Sequence, residues 1–235
     1  MLVFNPLEQG SVVTSAMVVL ATAMAFYSLC KMQQVSLSFK LHIWMAAFLL
    51  IGIAEMDNGI TMLEPGGPAG TALGKLVDLL RVLAAALFLC GAIYDLLGQN
   101  DARRLVFTSL AFGITFWLVD TVTPQISILA LVYQVLIMLA SFIVYSWLAS
   151  RFQSPGAAWM ALGVACFLVA VLLAEQHRDR IEWFGFFDGS ILANVFQFFG
   201  LITLAIGLHK SLVPPVFVSR GISGMQPIEF RSKIK

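Results

Sequence analysis

The chain has 235 residues, of which 60% are hydrophobic and only 11% are charged, and its formal net charge is +1. A soluble domain is roughly half apolar and about a quarter charged, so this excess of apolar side chains excludes an ordinary water-soluble fold. The near-neutral charge argues against a nucleic-acid partner, because nucleic-acid binding needs a basic surface. The composition therefore predicts an all-α integral membrane protein whose apolar surface contacts membrane lipid.

Seven apolar runs are long enough to cross about 30 Å of hydrocarbon at about 1.5 Å per residue. In chain order, we place them at about 11–30, 41–63, 76–97, 105–122, 126–150, 157–175 and 190–208. Polar, proline-rich or glycine-rich segments separate the runs, and Pro214 and Pro215 follow the last one. The sequence thus predicts a seven-helix transmembrane domain over residues 1–213 and a short cytoplasmic tail over residues 214–235.

The distribution of lysine and arginine predicts the orientation, because short basic loops stay on the cytoplasmic side of a membrane. Ten of these residues fall on one predicted side: Lys31, Lys40, Arg103, Arg104, Arg151, Lys210, Arg220, Arg231, Lys233 and Lys235. The other side has three, namely Lys75, Arg178 and Arg180. We therefore expect the N-terminus outside and the C-terminus in the cytoplasm, and we expect the membrane to be a bacterial inner (plasma) membrane.

Polar and ionisable residues concentrate in the predicted outer half of the bundle. A charged side chain inside a span costs about 2.5–3.5 kcal/mol on insertion scales, so such residues are functional candidates. The inner halves contain almost nothing comparable, and Arg81 is the only basic residue within the predicted spans. The candidate ligand-binding residues are Glu55, Asn58, Asp78, Arg81, Asp120, Gln134, Asn194 and Gln197.

Helical spacing places several of these residues on shared faces, because positions three or four apart are neighbours on a helix. Asn194 and Gln197 form one such pair. In the fifth span, Ser127, Gln134 and Ser141 draw a polar stripe down one side, which is typical of a helix that faces the interior of a bundle. We therefore expect several helices to direct polar groups toward one place.

An ion pair is expected for Arg81, because an unpaired charge at that depth is costly. Glu55 or Asp78 should supply the carboxylate. Gln134, Asn194 or Gln197 should line the same cavity, since a buried pair needs its remaining donors and acceptors satisfied. The cavity should open toward the side that bears Glu64 and Trp183.

A structural interpretation exists for each candidate residue. Amide side chains often hold transmembrane helices together, and a carboxylate at the end of a span, such as Asp120, can simply lie in water. For the deeper residues Glu55, Arg81 and Gln197, a ligand-facing role and a purely structural network both remain open.

Two families with seven spans are similar in size and topology, but the residues exclude both. Microbial rhodopsins need a lysine in the middle of the last span to hold retinal, whereas Lys210 lies beyond that span. The zinc hydrolases related to alkaline ceramidases and haemolysin III proteins need several histidines around one metal ion. The sequence has only His42, His177 and His209, and the predicted spans place His177 at the opposite end from the other two.

No cofactor is therefore predicted, although a carboxylate cluster leaves one alternative. Glu55, Asp57, Asp78 and Asp120 could together hold a hard cation or relay protons. The sequence contains no nucleophilic triad, phosphate-binding loop or dinucleotide fingerprint, which favours a function other than catalysis.

Three hypotheses follow. The first is a bundle with an outward-facing polar pocket for a small molecule, a lipid headgroup or an ion, acting as a sensor or as an accessory subunit of a membrane protein complex. The second is a small transporter or proton-coupled permease, which carboxylates within the spans favour. The third is a membrane-embedded lipid hydrolase, which needs a metal that the histidines do not support.

Overall fold

The computed structural model describes residues 6–33, 38–63, 68–123, 128–151, 154–175 and 189–212, so the predicted tail lies outside the described residues. The described residues form seven α-helices: α1 (Pro6–Gln33), α2 (Phe39–Leu63), α3 (Pro68–Leu97), α4 (Gln99–Val122), α5 (Leu129–Ser150), α6 (Ala157–Glu175) and α7 (Gly189–Leu212). Each helix is long and apolar enough to cross a membrane. The prediction of an all-α chain with seven such helices is confirmed.

Four helices, α1 to α4, begin two or more residues earlier than the apolar runs predict, and the difference is largest for α3 and α4. α3 begins at Pro68 because proline suits the first helical turn, where its missing N–H has no partner to lose. α4 begins at Gln99, where a loop was expected, since Gly98 with a φ of +95° is the one residue between α3 and α4. Asp101 in the first turn of α4 complements the positive end of the helix dipole. Hydropathy marks the apolar part of a helix and misses its polar ends.

Six of the helices form a closed ring in which each packs against the next, in the order α1, α2, α3, α5, α6, α7 and back to α1. α4 lies outside this ring, where it packs against α3 and α5. Only 11% of the apolar stretch of α4 is buried, against 56% for that of α3. The ring therefore has an interior in which side chains from helices that are distant in sequence meet.

Aromatic side chains fill the middle of this interior. Trp44 and Phe88 stack with 5.2 Å between their ring centroids, and Phe88 meets Phe167 edge-on at 5.2 Å. All three side chains are buried, and pairs of this kind contribute about 0.5–1.5 kcal/mol beyond the burial of their area. These three residues are termed the aromatic layer.

Glycines bring α6 and α7 close together. Gly156, just before α6, has a φ of +93°, and a Cβ there would overlap the carbonyl group of Gly207. A Cβ at Gly200 would lie 3.1 Å from the carbonyl oxygen of Gly163. Small residues allow this close approach of two backbones, which is a common way for membrane helices to pack. The close packing fixes α7, and with it Gln197, against the rest of the ring.

Candidate functional site

A polar cavity of about 420 Å³ lies at the end of the bundle where α3, α5 and α7 begin and where α4 and α6 end. The cavity is lined by Lys75, Asp78, Arg81, Val82, Trp117, Asp120, Thr121, Ala130, Leu131, Gln134, Ala170, Val171, Ala174 and Gln197. Its volume falls in the range of about 300–1,000 Å³ that is usual for pockets that bind small molecules.

The expected ion pair of Arg81 is present. Its Nη2 donates to Oε1 of Glu55 at 2.8 Å, which links α3 to α2. The Glu55 side chain is 1% exposed and that of Arg81 is 24% exposed. Arg81 lines the cavity whereas Glu55 does not, so the ion pair with Glu55 anchors the guanidinium without adding Glu55 to the cavity wall. The prediction that Glu55 or Asp78 pairs with Arg81 is confirmed for Glu55.

Two amide side chains line the cavity from different helices. Gln134 comes from α5 and Gln197 from α7, and both residues are buried, at 8% and 7% exposed. Oε1 of Gln197 has no hydrogen-bond partner among the described residues, and neither has Nε of Arg81. Buried polar atoms nearly always have a partner. Two residues of the cavity lining thus each carry a buried polar atom, one an acceptor and one a donor, that the described part of the chain does not satisfy.

Asp120 lines the cavity and also stabilises the fold. Its Oδ1 accepts a hydrogen bond from the N–H of Leu129 at 3.1 Å, and its Oδ2 accepts one from the N–H of Ala130 at 2.6 Å. The carboxylate therefore satisfies N–H groups in the first turn of α5, which have no partner within that helix, and it complements the helix dipole. Nearby, Nε1 of Trp117 donates to the carbonyl oxygen of Lys75 at 2.8 Å and ties α4 to α3. This wall of the cavity is held by hydrogen bonds between helices.

The prediction that Gln134, Asn194 or Gln197 lines the cavity is confirmed for Gln134 and Gln197, whereas Asn194 is not among the lining residues. Its Nδ2 donates to Oγ1 of Thr14 and to Oγ of Ser15, both at 3.0 Å. Positions three apart lie about 60° apart around a helix, so α7 presents Asn194 to α1 and Gln197 to the cavity. Asn194 holds α1 against α7.

Three further expectations fall on residues that the structure does not describe in full. The side chain of Asn58 lies outside the described residues, as do Glu64 and Trp183, toward which the cavity was expected to open. Within the stripe expected on α5, Ser127 likewise lies outside the described residues, while Gln134 and Ser141 are buried as a bundle-facing stripe requires.

A second buried ion pair, which the sequence analysis missed, lies at the opposite end of the ring. Nζ of Lys40 donates to Oδ1 of Asp95 at 2.6 Å and to Oγ of Ser211 at 2.9 Å. The hydroxyl group of Tyr145 donates to Oδ2 of Asp95 at 3.4 Å. The Lys40 and Asp95 side chains are only 5% and 10% exposed. These four residues, from α2, α3, α5 and α7, are termed the Lys40 network.

Two expectations are corrected by this network. Arg81 is not the only basic residue within the helices, and the half of the bundle opposite the polar cavity also holds charged groups. Lys40 was placed in a loop because the second span was predicted to begin at residue 41, whereas α2 begins at Phe39. The pair could have been found by comparing depths in the membrane. Lys40 lies near the start of α2 and Asp95 near the end of α3, so both lie at the same end of the bundle.

The comparison with known proteins assigns the chain to a family. A family model described as "Family of unknown function (DUF6962)" matches residues 11–212. The chain belongs to DUF6962. The matched region runs from α1 to the last residue of α7 and so includes both the polar cavity and the Lys40 network. No curated protein and no solved structure matches the chain.

Metal binding was one alternative for this DUF6962 chain. Among the residues that the structure describes, no group of three or more His, Cys, Asp and Glu side chains could hold a metal ion. Two of the four carboxylates considered for a cation site already have roles in the fold, because Glu55 pairs with Arg81 and Asp120 caps α5. The side chain of Asp57, another of the four, lies outside the described residues.

The polar cavity of this DUF6962 protein presents both signs of charge. Lys75 and Arg81 are basic, Asp78 and Asp120 are acidic, and the amide of Gln197 both donates and accepts. A volume of about 420 Å³ is more than a single ion needs and suits a small organic molecule. The arrangement can bind a small polar molecule that carries both hydrogen-bond donors and acceptors.

Proposed function

We propose that the chain is an integral membrane protein that binds a small polar molecule in the polar cavity, as a sensor or an accessory subunit would. The observation that carries this proposal is Gln197, a residue of the cavity lining whose buried carbonyl oxygen has no partner within the described part of the chain. Nε of Arg81 is a buried donor that also has no hydrogen-bond partner among the described residues. A ligand with a donor and an acceptor satisfies both atoms when the two side chains turn toward it, whereas a bare cation satisfies only the oxygen.

Membrane insertion is supported by the surface of the bundle. Large apolar side chains are exposed on helices all around it, among them Met24 at 74%, Phe107 at 79% and Ile143 at 57%. Soluble proteins rarely leave large contiguous apolar patches in contact with water. Lipid is therefore the medium that suits the outside of the ring and of α4.

The orientation is supported by four cation–π contacts at the end that holds the Lys40 network. They join Lys31 with Tyr27, Arg103 with Phe39, Arg151 with Trp147 and Lys210 with Trp159. Basic and aromatic side chains favour the headgroup region, and basic residues favour the cytoplasmic leaflet. In this orientation the polar cavity faces outward, the N-terminus lies outside and the C-terminus lies in the cytoplasm.

Ligand binding is tested by replacing Gln197 with leucine. In a thermal-shift screen of the purified protein against amino acids, small polyols and glycerol 3-phosphate, we expect at least one compound to raise the unfolding midpoint. Gln197→Leu is expected to weaken binding of that compound by up to about tenfold, because a lost hydrogen bond costs about 0.5–1.5 kcal/mol.

Gln99→Leu is the matched control, since Gln99 is an exposed amide at the opposite end of the bundle. It is expected to leave binding unchanged. The proposal fails if none of these compounds stabilises the protein, or if the two leucine variants bind the compound equally well.

A further inference from the structure

The interior of the ring holds three layers in succession, which are the polar cavity, the aromatic layer and the Lys40 network. Arg81, Phe88 and Asp95 mark them along α3, with about 10 Å between successive layers at about 1.5 Å per residue. The buried face of α5 repeats the order, with Gln134 at the cavity and Tyr145 at the Lys40 network. Polar groups thus occupy both ends of one axis, and an apolar constriction lies between them.

Two contacts show that the constriction and the Lys40 network cross the ring. Phe88 on α3 meets Phe167 on α6, although α5 stands between these helices in the ring order. Lys40 on α2 reaches Ser211 on α7, although α1 stands between those two. A contact between non-adjacent members of a ring passes through its interior. These two layers therefore close the axis between the polar cavity and the far end.

Stability alone does not explain a buried ion pair at the far end. Replacing a buried pair with well-packed apolar residues is often neutral or even stabilising, because desolvation offsets the attraction between the charges. A charged pair differs from an apolar plug in that its partners are readily hydrated once they separate. The Lys40–Asp95 pair therefore suits a closure that opens, whereas interlocked apolar side chains suit one that stays shut.

We propose that the axis of the ring is a translocation route for the small polar molecule of the polar cavity. The Lys40 network is the gate at the far end, and the aromatic layer is the constriction between gate and cavity. Opening requires that Lys40 and Asp95 separate and that Phe88 and Phe167 move apart. The inference rests on the proposed ligand binding and adds transport to it, with the binding site at one end of the route and both closures between that site and the other end.

The route is tested by the accessibility of a single cysteine at position 141. Ser141 is fully buried on the face of α5 that also carries Gln134 and Tyr145, and it lies about 6 Å from Tyr145 along the helix. It is thus nearer along α5 to the Lys40 network than to the polar cavity. The Ser141→Cys reporter is placed in a protein whose Cys30, Cys90 and Cys166 are replaced by serine, and vesicles of both orientations are treated with a membrane-impermeant methanethiosulfonate.

Ser109→Cys is the matched control reporter. Ser109 and Ser141 are both buried, and each hydroxyl donates to the carbonyl oxygen four residues earlier at 2.8 Å, that of Leu105 and of Ile137 respectively. Ser109 lies on α4, outside the ring. A general loosening of the protein raises the labelling of both reporters, whereas opening of the gate raises only that of the Ser141→Cys reporter.

Asp95→Asn is expected to raise labelling of the Ser141→Cys reporter at least tenfold from the side of the Lys40 network, with no change at the Ser109→Cys reporter. Ser211→Ala removes only one partner of Lys40 and is expected to give a smaller increase of the same kind. Unchanged labelling in both gate variants, or an equal rise at both reporters, overturns the route. If a compound still stabilises the protein in the thermal-shift screen, the proposed binding function stands although the route does not. If no compound stabilises the unmodified protein, the binding function itself is overturned.

Discussion

Arg81→Met is expected to lower the free energy of unfolding by about 3–5 kcal/mol, because it leaves the buried carboxylate of Glu55 without Arg81. Glu55→Gln is expected to cost less, since Arg81 is partly exposed and keeps a neutral acceptor. The double variant Glu55→Gln/Arg81→Met is expected to recover most of the loss, because neither charge remains. Unfolding of the four proteins in one detergent gives the coupling energy of the pair.

The control for this cycle is Arg104→Met, which removes an exposed arginine from α4. Its effect is expected to stay within about 0.5 kcal/mol, as is usual for surface substitutions. If Arg81→Met costs no more than Arg104→Met, or if the two changes at the ion pair are simply additive, then the pair does not hold α2 against α3.

Asp95→Ala is expected to lower the free energy of unfolding by a similar amount, about 3–5 kcal/mol. The variant leaves the buried ammonium group of Lys40 with Ser211 as a partner but without a counter-charge. Lys40→Met/Asp95→Leu is expected to restore the stability of the unmodified protein or to exceed it, since apolar residues replace buried charges without leaving either one alone. Denaturant unfolding monitored by helical circular dichroism measures both effects.

Asp101→Ala serves as the control for the second pair. Asp101 is an exposed aspartate in the first turn of α4, and its removal is expected to cost only about 0.3–1 kcal/mol through the helix dipole. Equal costs for Asp95→Ala and Asp101→Ala would mean that the Lys40–Asp95 pair contributes nothing beyond a surface contact.

The helices could be predicted from sequence because each one carries a long, predominantly apolar run. The Glu55–Arg81 pair could be predicted as well, since both residues lie deep in neighbouring helices at the same depth and a lone charge there is costly. The same reasoning failed for Lys40 because it depends on the helix boundary. A difference of two residues at the start of α2 moved Lys40 from a predicted loop into a buried network.

The order of the ring could not be predicted, because hydropathy shows how far a helix extends and not which helix it packs against. α4 lies outside the ring although α3 and α5 are its neighbours in sequence. The different partners of Asn194 and Gln197 follow from this order, since α7 has α1 on one side and the polar cavity on another. Membrane insertion, orientation and ligand binding stay predictions.

The fluorescence of Trp117 tests most directly whether the polar cavity is a binding site. Trp117 lines the cavity, whereas Trp159 contacts Lys210 at the opposite end of the bundle. The compound that stabilises the protein in the thermal-shift screen is expected to change the tryptophan emission of the unmodified protein and of Trp159→Phe in a saturable way, and to leave that of Trp117→Phe unchanged. A saturable change that persists in Trp117→Phe and disappears in Trp159→Phe would place the ligand elsewhere and contradict the proposed site.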